Sequence, residues 1–384
     1  MINNQTNKNY YLQILVWLVI GIILGSLAGG TYIHNLNSSN SNSQENSNII
    51  HYYVFVFNGL SSNVSVIDRI SNTLLYSQNI EIDSDALDVI LVPDSNDLHI
   101  IPVSQSNVYV VDKINFDVKS IIPAGSNLQH SGVVTNDGEL ILLVSRDDQS
   151  LVMIDTNKNI VSERIKVGKN PHDVELSSDD NYAYVSNVES KNISIIDVNN
   201  KILIDEIQLN VEPHMLVTTN NDEKLVITSG NPNSIVEIIL NDQIVKNSIM
   251  LDSAPHDILF SEKYNLVLVA LPNENIVVAV DLNNFELIKK IDVGDHPHSM
   301  NISPDGLYLY VANTASDNVS VIDLKKLIVV STISVGKAPT DIVFYLPNSN
   351  STDNINNNEV IEDDSETEFD ASRYTCGAYI HVRD

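Results

Sequence analysis

From Ile50 to Leu346 the chain alternates short apolar runs with clusters of Gly, Pro, Asn, Asp and Ser. One full cycle lies in Val293–Pro339. A small-residue turn at Gly294–Pro297 leads into a short strand opened by His298. Pro304-Asp305-Gly306 is a turn, because proline presets the first turn angle and glycine accepts positive φ. Leu307–Ala312 is rich in aromatic and branched residues and predicts a second strand. Thr314–Asp317 turns again, Val319–Asp323 predicts a third strand and Ile328–Val335 a fourth. Four short strands joined by tight turns make an antiparallel meander.

The cycle repeats. The motif VSVID and its variants end at Asp68, Asp112, Asp155, Asp197, Ile239, Asp281 and Asp323, with successive spacings of 44, 43, 42, 42, 42 and 42 residues. A four-stranded unit of that length, repeated, is what a β-propeller blade requires; the repeats of a β-solenoid are shorter. First strands are marked by Asp88, His130, His172, His214, His256, His298 and Thr340, seven in all. The N-terminal run His51–Phe57 matches a second strand, and the last run, Thr340–Leu346, matches a first strand. The chain's end is therefore expected to complete the blade that its beginning opened, three strands plus one. That closure removes the free edges that invite aggregation. The expected fold is an all-β, seven-bladed propeller over residues 49–347.

The motifs PHDV, YVSN, YVAN, ISIID, VSVID and VGK resemble the YVTN family of β-propeller repeats, over about Ile50–Leu346. The resemblance implies a surface or secreted protein. It leaves function open, since a fold of this kind hosts binding, scaffolding and catalysis alike.

The flanks differ in character. Tyr10–Ala28 holds no charged residue, close to the roughly 20 apolar residues that span a bilayer. Residues 1–34 are expected to form an N-terminal transmembrane helix, with a cleaved signal peptide as the alternative. Lys8 lies on the N-terminal side, which orients the propeller outward. Residues 35–48 form a Ser/Asn linker too polar to bury a core. Residues 348–384 form an acidic tail expected to be mostly disordered, carrying the single cysteine, Cys376. One cysteine forms no internal disulfide, so the fold does not rely on one.

Net charge is −29. That excludes nucleic acid as a partner, because phosphate binding needs clustered Lys and Arg. There is no Gly-rich phosphate loop, nucleophile elbow, HExxH or CxxC.

One periodic constellation carries candidate chemistry. His130, His172, His214, His256 and His298 recur every 42 residues, with Asp88 and Thr340 in the same column. In a closed propeller these positions surround the mouth of the central channel. Imidazole is the commonest protein ligand of zinc and copper, and Asp88 would add an oxygen or a supporting hydrogen bond. The competing reading is structural: each His bonds a neighbouring loop carbonyl and sets blade spacing. Either His172 or Asp173 is the inward residue, because side chains alternate along a strand. The Asp of VSVID is expected to cap a turn, and Asn58, Asn187 and Asn313 to shape the ends of second strands. Asn63, Asn192, Asn301, Asn318 and Asn350 begin glycosylation sequons.

The sequence thus favours a membrane-anchored, extracytoplasmic propeller acting as a binding or cell-surface scaffold module, with a protein or small ligand on the channel-mouth face. A secreted form follows if the leader is cleaved. The alternative is a metalloprotein holding copper or zinc in the ring of His130, His172, His214, His256, His298 and Asp88, redox or hydrolytic in activity.

Overall fold

The apolar runs form strands in the computed structural model, which describes residues 52–82, 87–129, 132–219 and 222–347. The expected anchor at 1–34, the linker at 35–48, the tail at 348–384 with Cys376, and His130 lie outside the described residues. Among the described residues no helix is long and apolar enough to cross a membrane.

Seven four-stranded antiparallel sheets follow one another. The hybrid blade holds β1 (Tyr53–Asn58), β2 (Asn63–Asp68) and β3 (Thr73–Asn79), with β28 (Pro339–Tyr345) as its inner strand. The next blade runs from β4 (Leu87–Leu91) to β7 (Val118–Pro123), and the third from β8 (Val133–Val134) to β11 (Ile160–Lys166). The remaining blades span β12 (Pro171–Leu176) to β15 (Ile202–Gln208), β16 (Pro213–Thr218) to β19 (Ile244–Met250), β20 (Ile258–Ser261) to β23 (Glu286–Asp292), and β24 (Pro297–Ile302) to β27 (Ile328–Ser334). Strand bounds match the sequence expectation to within one or two residues, and the expected three-plus-one closure is present. β28 pairs antiparallel with β1, Tyr345 opposite Tyr53 and Pro339 opposite Asn58.

Second and third strands are buried on both faces because each sheet is sandwiched between two others. In β25 (Tyr308–Asn313) and β14 (Asn192–Asp197) nearly every residue is buried, whereas β15 and β19 on the rim are almost wholly exposed. The core is correspondingly divided into seven apolar clusters, each filling one gap between neighbouring blades. The gap between the hybrid blade and the last full one holds Tyr52, Tyr310 and Phe344 in edge-to-face contact. Every third-to-fourth strand pairing carries one register shift, which adds twist to the outer edge.

Local signals act as the sequence predicts. Gly306, at φ +67°, donates its N–H to the Ser303 carbonyl and closes the Pro-Asp-Gly turn. The six Asp residues of the VSVID motif each accept a backbone N–H from the following turn: Asp68 from Ser71, Asp112 from Ile114, Asp155 from Lys158, Asp197 from Asn200, Asp281 from Asn283 and Asp323 from Lys325.

Candidate functional site

First strands enter the sheets at the end where Pro339 meets Asn58. This end, carrying the histidine column, is the channel mouth. Tyr52 and Pro347, the outermost described residues of the propeller segment, flank the Tyr53–Tyr345 pair at the opposite end.

The imidazoles of neighbouring blades pack against one another. His172 stacks on His214 with centroids 3.9 Å apart, and His256 meets His298 at 4.2 Å. The His256 Nδ1–H donates to the His298 carbonyl at 2.9 Å, and the His298 Nδ1–H to the Thr340 carbonyl at 3.3 Å. Each bond joins one blade to the next at the same column position, which is the geometry of the structural reading. All four rings are buried. Burial pushes His214 down to about 4, with the Arg146 charge adding to it, and pushes His298 well below its ordinary value beside His256 and His296. His214 and His298 are therefore neutral at pH 7. Among the described residues no group of three or more His, Cys, Asp or Glu is arranged to hold a metal ion.

A second column lies one residue further on. Asp173 Oδ2 accepts the Leu216 N–H at 2.7 Å, Asp257 Oδ2 the Met300 N–H at 2.7 Å, and Asp341 Oδ2 the Val89 N–H at 2.8 Å. Each carboxylate staples its blade to the inner strand of the next. Asp88 does the same for the Gly132 N–H at 2.9 Å, and it faces Ile101 as Asp173 faces Ser186, so it belongs to this column rather than, as its 42-residue spacing from His130 led one to expect, to that of the histidines. The signal was present as Asp at the third position of PHDV, PHDI and PTDI.

On the channel axis these groups enclose a cavity of about 230 Å³. Its polar lining comprises Asp88, Asp257, Asp341, His256, His298 and Asn301 among others, with Met215, Leu259 and Met300 as apolar walls; among the described residues no Lys or Arg contributes. Burial, with the Asp88 charge adding to it, raises Asp257 to about 7 and lifts Asp341 well above the carboxylate range. Glu175, one turn of the pleat below Asp173, is raised to about 7 by burial and accepts from Thr218 N–H and Oγ1–H. Asn301 donates to the Ile342 carbonyl. The cavity thus offers a carboxyl group, Asp257, that exchanges its proton near neutrality, beside the neutral imidazole of His298.

The asparagines at the mouth are structural. Asn58 Nδ2 donates to Asn63 Oδ1 and Ser65 Oγ, both at 2.9 Å; Asn187 repeats this with Asn192 and Ser194, and Asn313 with Asn318 and Ser320. Three sequons are thereby absorbed into the strand ends.

The profile of the cytochrome D1 heme domain family matches residues 93–301. The chain belongs to that family. The β-propeller part of the sequence expectation therefore stands, on a family other than YVTN. No curated protein sequence matches the chain. Among solved structures, Kuenenia stuttgartiensis hydrazine synthase is similar at 18% identity and TM-score 0.60, over 69% of this chain and 92% of that one. The Pseudomonas aeruginosa periplasmic gluconolactonase PpgL is similar at 16% and 0.64, over 77% and 100%. The dihydro-heme d1 dehydrogenase NirN, in complex with DHE, is similar at 17% and 0.57, over 79% and 67%. At these identities the likeness shows the shared fold.

Proposed function

We propose that the protein is a YVTN-like, membrane-anchored propeller outside the cytoplasm, acting as a binding or cell-surface scaffold module. The observation that carries this reading is the placement of the hybrid sheet's ends. The described chain enters and leaves the propeller at the Tyr53–Tyr345 end, so the mouth face carries no chain connection to either flank. A tether at that end leaves the mouth loops to a partner. Those loops differ from blade to blade, as VGKNP, NVEP, DSAP, GDHP and VGKAP, on a ring whose repeated residues hold blades together; variable loops on a rigid frame suit recognition.

Cell fractionation with and without residues 1–34, combined with protease shaving of intact cells, tests the reading. The full chain is expected in the membrane fraction and sensitive to external protease. A soluble, shortened product would replace the anchor by a cleaved signal; protection in intact cells would sink the extracytoplasmic placement.

Copper or zinc on the column His130, His172, His214, His256, His298 and Asp88 is the second reading. The stacked pairing of the rings and the use of Nδ1 on neighbouring carbonyls weigh against it. Elemental analysis of protein purified without added metal decides: one tightly held copper or zinc per chain, lost in His214→Ala and His256→Ala, would restore it. The family's name raises a tetrapyrrole as a third ligand, against which the acid-lined channel argues.

A further inference from the structure

We infer that the channel of this family member is committed to blade stapling and does not accept a tetrapyrrole. One feature favours haem iron. Because the His256 Nδ1–H donates to a carbonyl, Nε2 carries the ring's lone pair, the tautomer that ligand imidazoles adopt.

Three features oppose it, and together they outweigh that one. The first is space. The cavity of about 230 Å³ falls below the ~300–1,000 Å³ of sites for drug-sized ligands, and a four-ring macrocycle is large for that class. The second is charge. A haem bears carboxylate side chains, and their burial requires cationic or hydrogen-bonding partners. The lining instead presents Asp88, Asp257 and Asp341, with no Lys or Arg among the described residues, in a chain of net charge −29. The third is that the obstructing groups cannot swing aside cheaply. Asp341 accepts from Val89 N–H, Ile342 N–H and Ser299 Oγ–H; Asp257 accepts from Met300 and Ile258 N–H; Asp88 accepts from Gly132 N–H. Admitting a flat macrocycle would break staples between several blades at once and leave their backbone donors unpaired.

The test is a hemin titration of the folded protein, followed by the Soret band and by equilibrium dialysis. Neither readout depends on an enzymatic activity. The expected result is a spectrum that remains that of free hemin, with no saturable one-to-one uptake. Saturable uptake with a shifted Soret band, abolished by His256→Gln or His298→Gln, would overturn the inference. Glutamine keeps an N–H for the neighbouring carbonyl, so these variants remove the iron ligand while retaining the blade contact. Saturable uptake unaffected by either variant would place the hemin elsewhere and leave the channel closed, as inferred. Hemin uptake would not touch the anchored, extracytoplasmic placement, which fractionation tests separately.

Discussion

Asp341 Oδ2 accepts the Val89 N–H at 2.8 Å, so the last strand of the propeller grips the first strand of the blade beyond the one it completes. Its other oxygen takes the Ile342 N–H at 2.7 Å and the Ser299 hydroxyl at 2.9 Å. Closure therefore rests on side-chain chemistry as well as on the β1–β28 ladder. Asp341→Ala leaves donors from both neighbouring blades unpaired, and the expected loss is about 1–3 kcal/mol. It is read as a lower denaturant midpoint at unchanged slope. Asp341→Asn retains an acceptor and loses less. An alanine variant with the wild-type midpoint would show that the staple adds nothing to closure.

The channel acids also set a pH dependence. Asp257 and Glu175 are raised to about 7 by burial, and Asp341 is raised in the same direction. Charge from Asp88 acts on the first and third, and from Asp222 on the second. Between the ordinary carboxylate range and about 7 the native state holds protons that the unfolded chain releases. The stability that Asp257 and Glu175 contribute is complete below about pH 4 and is lost as pH rises through about 7, and Asp341 acts in the same direction. His214, lowered to about 4, and His298, lowered well below its ordinary value, act oppositely: their contribution is present above about 6.5 and is lost as pH falls toward 4. The two sets oppose one another below about 6.5, and the acids act alone above it. The melting temperature is expected to fall from about pH 6.5 to about pH 8, more shallowly in Glu175→Gln. A melting temperature that rises over that interval would refute the assignment.

The blade count and the closure were legible because they depend on periodicity alone, which survives the loss of Asp at Ile239. The capping role of the VSVID Asp was legible because it is local, reaching only three residues along the chain. The direction of the histidines was not. Spacing places a residue at the mouth but does not fix its χ angles, and a carbonyl of the neighbouring blade holds each of the rings of His256 and His298. The Asp173, Asp257 and Asp341 staples were hidden for a similar reason. Their partners lie 43 residues downstream for the first two, and for Asp341 on the other side of the closure. The Arg69–Asp305 pair at 3.4 Å, with Arg69 over the Tyr308 ring, likewise joins residues that only closure brings together.

Gly294 gives a steric prediction. A Cβ built there lies 2.5 Å from Ser316 Oγ and 2.7 Å from both Asn313 Cγ and Asn318 Oδ1. The Gly of each VGK or VGD turn lies against the Asn that ends a second strand: Gly168 against Asn187, Gly294 against Asn313 and Gly336 against Asn58. The strand after Asn210, which takes the glycine's place in NVEP, faces Ser229, so the two positions change together. Gly294→Ala is expected to cost about 1–3 kcal/mol through overpacking. Gly294→Ala combined with Asn313→Ser, which relieves the contact, is expected to lose less than the two single changes added together. Strict additivity in that cycle would place the two residues out of contact.

The same asparagine network bears on glycosylation. Asn63 and Asn192 are buried, 3% and 6% exposed, and each side-chain oxygen accepts from the Asn ending the preceding strand. At Asn318 the amide nitrogen itself donates to the Ser316 carbonyl at 2.8 Å. The sequon serines are engaged as well, Ser65, Ser194 and Ser320 each accepting from that preceding Asn. A glycan on any of these nitrogens would have to emerge through the strand end and break the amide network. Chain secreted from a glycosylating host is therefore expected to show no added mass on peptides containing Asn63, Asn192 or Asn318. Asn63→Ala should instead appear as a stability defect of about 1–2 kcal/mol, because it leaves the Asn58 amide short of an acceptor. A glycopeptide covering Asn63 or Asn192 in folded protein, or an Asn63→Ala variant as stable as wild type, would show that these side chains are not held as described.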